Sequence, residues 1–298
     1  MTNWEDWLKT AAQPPSNHED DKWQRTLAQV KTSLDAHEPL KGRPWRVYAK
    51  GSYANNTNVR LNFDVDIAVE YHGFFYYDLE FGLKGKDKSV VGVVDSDDPY
   101  TRDQFKKDIH DALIESFGTD SVEVGDIAYR IRNGKTTLPA DVVPCWEYRR
   151  YDSEQTVHHG ARIYTGSGKI VNNFPHHQLE NGTSKNLATS RRYKRMARAL
   201  KKLQTKMLDA GEVKDELPSY LIECLVYNVP NGSFGADTYT ADMRWVLATI
   251  FNSTLVGGDW NDWEEVNGLK YLFRGDAKWT REQVHTFADA AWNHMGYE

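Results

Sequence analysis

The most constraining stretch of this chain is KGSYANNTNVRLNFDVDIAVEY, residues 50–71. Gly51-Ser52 follows the strand-like run of Trp45, Val47 and Tyr48. Asp64-Val65-Asp66 follows Ser52 with eleven residues between, inside the alternating run FDVDIAVEY. Alternation predicts a strand, and in a strand side chains i and i+2 face the same way. Asp64 and Asp66 therefore project side by side, while Val65, Ile67 and Val69 turn towards a core. Two carboxylates held together on a rigid strand repel each other, which is costly unless a cation lies between them. The spacing suits Mg²⁺, which takes a few carboxylates together with phosphate oxygens.

Gly51-Ser52 stands where a strand passes into a turn or helix. Glycine lets backbone N–H groups approach a phosphate, the serine hydroxyl adds a donor, and a helix N-terminus favours negative charge. A Gly-Ser pair alone carries no information; followed by Asp-x-Asp on an alternating strand it becomes specific. Further on, LPADVVPCWEY sets Asp141 between Ala140 and Val142 in an otherwise apolar strand. Taken alone, Asp141 reads as a satisfied structural acid; beside the Asp64/Asp66 pair it is the natural third carboxylate. Three carboxylates and a phosphate cradle fit two-metal phosphoryl transfer. No GxxxxGK[ST] or GxGxxG sequence occurs, which argues against P-loop NTPases and dinucleotide enzymes.

The rest of the chain frames this stretch. Residues 1–15 read as a short helix ended by Pro14-Pro15, and Ser16 with Glu19 matches a capping box opening a helix over 17–36. A strand at 45–50 precedes Gly51. Residues 72–98 read as irregular, with DSDDP leading into a helix over 100–117 closed by Gly118. Strands are expected at 121–124, 127–132 and 137–148, the last two joined by an Asn133-Gly134 hairpin turn. Another hairpin is expected over 149–171, around the GSG turn at 166–168, and a polar, turn-rich hinge over 172–188. From Ser190 a long basic helix carries Lys194, Arg198 and Lys201 above an apolar stripe. Such charge is usually a solvated face; here it is the main positive concentration in an acidic chain, and some of it is expected to face phosphate. Leu217-Pro218-Ser219-Tyr220 opens the next helix, and two more are expected over 238–254 and 279–294. An α/β core over 1–175 is therefore followed by a helical domain over 176–298, and clefts between such halves are common ligand sites.

Composition removes several function classes. With 298 residues, 40% hydrophobic and 27% charged, the chain is globular. No apolar run reaches the ~20 residues a membrane helix needs, and the N-terminus has no signal-peptide pattern, so a cytoplasmic protein is expected. Cys145 and Cys224 lack metal-ligand spacing and read as reduced, buried thiols. Adjacent histidines, His158-His159 and His176-His177, point to opposite sides of a strand and read as structural or solvent-facing. A net charge of −6 argues against binding of extended nucleic acid, which calls for a basic domain, but not against small phosphorylated ligands.

The order Gly-Ser, Asp-x-Asp, separate Asp resembles the nucleotidyltransferase superfamily of polymerase β. KGSYANNTNVRLNFDVDIAVEY, LPADVVPC, FPHHQLENGTSKNLATSRRYKRMARALKKL and LPSYLIECLVYNVPN together resemble the bacterial cGAS/DncV-like nucleotidyltransferases of the SMODS type, over most of residues 40–235. The resemblance implies an α+β fold, with a mixed-sheet catalytic core, a C-terminal helical domain, an N-terminal helix packing across both lobes, and the active site in the cleft. It implies that Asp64, Asp66 and Asp141 bind two Mg²⁺ ions, Mn²⁺ substituting, and that Gly51 and Ser52 hold the β- and γ-phosphates of the donor. Lys194 matches the family's triphosphate lysine, with Arg198 or Lys201 as alternatives. Ser219 and Tyr220 match a position contacting phosphate or stacking on the base, core packing being the other reading of Tyr220. Asn172 and Asn173 lie where members read a base edge, which suggests UTP beside ATP. A monomeric enzyme making a cyclic di- or trinucleotide for a separate effector in antiphage defence is then expected. The alternatives are a linear or tRNA-tailing polymerase, a small-molecule nucleotidyltransferase, and a non-catalytic nucleotide-binding module. The confinement of positive charge to one helix argues against the first, the basic helix and PSYLIECLVYN against the second, and the intact acids against the third. The chain ends HMGYE, so conjugation through a C-terminal glycine is not expected, and two cysteines cannot build a zinc ribbon.

Overall fold

In the computed structural model of the chain, residues 3–15, 17–59, 64–132, 138–275 and 277–297 are described. The expected Ser16/Glu19 capping box and Asn133-Gly134 turn lie outside the described residues or side chains. The chain divides into two compact units, one of residues 16–54 and 63–176, the other of residues 1–15, 55–62 and 177–298. A single boundary at 175/176 therefore misses two excursions, the first fifteen residues and the segment before Asp64.

The first unit is built on a mixed sheet, seven-stranded among the described residues, whose central path runs β1 (Trp45–Ala49), β2 (Val65–Asp78), β5 (Ala140–Tyr151), β4 (Tyr129–Ile131), β3 (Val122–Val124). Strand β2 runs parallel to β5, with Val65 opposite Ala140 and Asp66 opposite Asp141. The first part of β5 takes β4 on its other edge, and the later part takes β6 (Val157–Tyr164), which carries β7 (Ile170–Asn173). Alternation divides β2 cleanly. Val65, Ile67, Val69 and Tyr71 join a core with helices α2 (Asn17–Ala36) and α4 (Arg102–Phe117), and Ala68 joins Val143, Cys145, Ala161 and Ile163 on the opposite face. Helix α4 starts at a Thr101/Gln104 capping box and stops at Gly118, whose N–H bonds to the Ile114 carbonyl.

Two sequence expectations change here. β2 continues through Asp78, because a register shift between Tyr71 and Tyr76 absorbs the His72-Gly73 interruption and returns Phe74 and Tyr76 to the core. Residues expected to form a hinge form helix α5 (Pro175–Ala188), with proline at its first position, where no N–H is needed.

The second unit is helical. Its core gathers α1 (Trp4–Ala11), α6 (Arg192–Asp209), α7 (Ser219–Asn228), α8 (Tyr239–Ser253) and α9 (Arg281–Met295). Helix α6 is buried around most of its circumference, Lys194, Arg198, Lys201 and Gln204 included, which marks a central helix, whereas a run of charge is usually a solvated face. Gln204 closes both backbone bonds of Leu217, just ahead of α7. Cys145 and Cys224 are free, buried thiols, and burial raises the pKa of both. No helix among the described residues is long and apolar enough to cross a membrane.

Candidate active site

Strand β1 ends beside β2, with the Lys50 N–H donating to the Asp66 carbonyl at 2.8 Å. Gly51 then turns the chain with φ +67° into the short helix α3 (Gly51–Ala54). A Cβ on residue 51 would stand 2.2 Å from Oδ2 of Asp66. Only glycine meets both demands, a left-handed backbone and contact with a carboxylate. The Ser52 side chain is half-buried and makes no hydrogen bond to another described residue.

Register gathers the acids. Asp66 and Asp141 face each other across the parallel pair, and Arg130 of β4 is opposite Asp141 on the other side, with Nε 3.6 Å from Oδ1. Asp64 is exposed just before β2. Burial pushes the Asp66 carboxyl above its ordinary pKa, Lys50 opposing and Asp64 adding to the rise. Asp141 is also raised, first by burial and then by Asp66, with Arg130 opposing. Among the described residues no three His, Cys, Asp or Glu side chains are drawn together closely enough to hold a metal. The strands set the backbones of Asp66 and Asp141 side by side. The donor set is all carboxylate oxygen, which suits a hard divalent cation. Along the same face Glu70 is buried and satisfied, accepting from Arg46 at 2.7 Å and from the Tyr48 hydroxyl at 2.7 Å.

Lys50 and Arg130 are the site residues that sequence reasoning missed. Parity was the available signal. Lys50 has the phase of Tyr48, and Arg130 alternates with the core residues Tyr129 and Ile131.

The two asparagines separate by the same rule. Asn173 is opposite Ala161, which is opposite Glu147, on the face that carries Asp141, Val143 and Cys145. Asn172 is opposite Arg162, on the face of Trp146, and its Oδ1 accepts from Arg162 Nε at 2.9 Å. Asn173 is half-buried and makes no side-chain hydrogen bond to another described residue. The histidines nearby are occupied. His158 is 3.3 Å from Asp152, His159 is 3.6 Å from Glu147, and His176 lies against Tyr48.

In the helical unit, Lys194 is largely buried and has no hydrogen bond or ion pair of its ammonium with a described residue. Burial lowers its pKa, with Glu223 opposing. Arg198 and Lys201 are committed instead, Arg198 to the Ala12 and Asn56 carbonyls and Lys201 to the Thr57 carbonyl and Glu223. Ser219 is the first residue of α7 and half-buried. The Tyr220 hydroxyl donates to Glu265 at 3.1 Å and the ring packs against the helical core.

Residues 180–296 match the cGAS/DncV-like nucleotidyltransferase C-terminal helical domain. Over 295 residues the chain is 36% identical to the cyclic dipyrimidine nucleotide synthase CdnE of Cecembia lonarensis, covering 98% of each chain. It is also 36% identical, over 289 residues and 96% of each chain, to the cyclic dipurine nucleotide synthase of Elizabethkingia meningoseptica. Among solved structures, the Rhodothermus marinus CdnE c-UMP-AMP synthase with Apcpp and Upnpp matches with a TM-score of 0.84 at 29% identity, over 99% of this chain and 98% of that one.

Proposed function

We propose that this chain, which belongs to the cGAS/DncV-like nucleotidyltransferases, joins nucleoside triphosphates into a cyclic oligonucleotide with release of pyrophosphate. The substrates in this reading are ATP and UTP, and the product signals to a separate effector in antiphage defence. The observation that carries it is the register of Asp66 against Asp141, with Gly51 in contact with Asp66. Two relatives at equal identity are named for opposite base classes, so similarity alone does not assign the bases.

Members of this nucleotidyltransferase class generally use divalent metals. Asp64, Asp66 and Asp141 would hold two Mg²⁺ ions, or Mn²⁺. Bound there, the ions would lower the pKa of the attacking hydroxyl and offset charge on the leaving pyrophosphate. The chain's own part is to hold and orient. Gly51 leaves the backbone open to the β- and γ-phosphates, and Ser52 donates its hydroxyl to them. Lys194, with no ion pair among the described residues, supplies a cation for the triphosphate. Ser219 and Tyr220 contact the donor nucleotide. Asn173 offers an amide that can pair with the edge of uracil or adenine.

Incubation with labelled nucleoside triphosphates and Mg²⁺ or Mn²⁺ is expected to give a phosphatase-resistant product that is lost in Asp64→Ala/Asp66→Ala. Survival of the product in that double variant overturns the two-metal assignment, and an RNA-dependent linear product overturns the cyclic one. Mass spectrometry of the product from a four-nucleotide mixture reads its bases.

A further inference from the structure

Between Ser52 and Asp64 the chain leaves the sheet unit, and residues 55–62 belong to the helical unit. Residues 55–59 are described, and the helical unit holds them by a buried polar network. Arg198 Nη1 donates to the Asn56 carbonyl at 2.5 Å, at a residue whose φ is +51°. Lys201 Nζ donates to the Thr57 carbonyl at 3.1 Å. The Thr57 hydroxyl donates to Glu223 Oε2 at 2.5 Å, Lys201 Nζ lies 3.5 Å from the same oxygen, and Gln178 donates to Oε1 at 3.2 Å. Thr57 is 0% exposed, Glu223 2% and Lys201 4%.

Stability does not explain this arrangement. A buried ion pair gives back in attraction about what its desolvation costs, and apolar side chains of like size often do as well or better. What the network does provide is one fixed path for residues 55–59. We infer that Thr57, Glu223 and Lys201 are positioning residues. They fix the chain five residues beyond Ser52 and so hold the Gly51-Ser52 turn ready for the triphosphate. The inference rests on the assignment of Gly51 and Ser52 to phosphate. It also explains why two cations of the basic helix are spent on backbone carbonyls.

The test pairs a readout without nucleotide with one that needs it. Hydrogen exchange over residues 50–59 is measured in the full chain, alone, for Thr57→Val and for Lys201→Met/Glu223→Leu, which replaces the ion pair by apolar bulk. Both variants are expected to keep the thermal midpoint within a few degrees and to lose protection over this segment. With nucleotide, KM is expected to rise and kcat to fall, together by about tenfold or more in kcat/KM. Thr57→Ser is expected to restore both readouts. Unchanged exchange in the two variants overturns the inference, and so does faster exchange with unaltered kcat and KM. If the unsubstituted protein makes no cyclic product, the proposed function fails while the exchange result still tests the clamp.

Discussion

The Asp66 carboxylate occupies the space that any side chain on residue 51 would need, so the turn and the acid are one unit of design. Burial and like charge hold Asp66 and Asp141 above the usual carboxylate pKa. The sign of the linkage follows. Their protonated forms favour the folded state below the ordinary carboxylate pKa of about 3.9, and that contribution is lost as pH rises through the raised values. A divalent cation that binds the ionised forms works in the opposite direction. The rise in Tm produced by Mg²⁺ or Mn²⁺ is therefore expected to be largest at neutral pH. It should fade on acidification while the pH is still above the range of an ordinary aspartate. Melting curves with and without metal, at constant ionic strength, check this; Asp66→Asn and Asp141→Asn should lose the response. A metal effect unchanged by pH or by these substitutions would place the ion elsewhere.

Strand β7 shows how one residue of phase separates two identical side chains. Asn173→Ala is expected to change the ratio of bases in the product, since Asn173 shares a face with Asp66 and Asp141. Asn172→Ala should instead loosen Arg162 and leave that ratio as it was. Mass spectrometry of the products from equal nucleotide mixtures separates the two; equal effects would remove the face argument. The alternation that places these residues is local, and so FDVDIAVEY and LPADVV were legible as strands carrying three acids. Asp141 was legible as their third partner, but the register that sets it opposite Asp66 was not, because that is a contact between strands 75 residues apart in sequence. Helix α5 was illegible for another reason. Its Asn, Gly, Ser and Thr residues favour turns, and the helix is held by tertiary bonds, from Gln178 to Glu223, Asn181 to the Val266 carbonyl and Lys185 to the Val229 carbonyl. The division of labour on α6 was illegible too. Arg198 and Lys201 stood beside Lys194 as candidates for phosphate, and only the bonds to Asn56 and Thr57, more than 140 residues away in sequence, set them apart.

At the scale of the molecule, the first fifteen residues are part of the helical unit. Leu8 is fully buried in its core, Glu5 accepts from the backbone of Tyr239 and Thr240 at the start of α8, and the Ala12 carbonyl receives Arg198. Leu8→Ala is expected to cost about 2–5 kcal/mol, read as a lower urea midpoint by far-UV circular dichroism. A change below about 1 kcal/mol would show that α1 is only loosely held. The excursion at 55–62 has a consequence during synthesis. A ribosome has made Asp64, Asp66 and Asp141 before it reaches Arg198, Lys201 or Glu223, the residues bonded to Asn56 and Thr57. A nascent chain carrying every acid of the triad thus lacks the partners of that segment, and long-range closure of this kind comes late in folding. Residues 55–59 thus meet their buried partners only once α7 has been made.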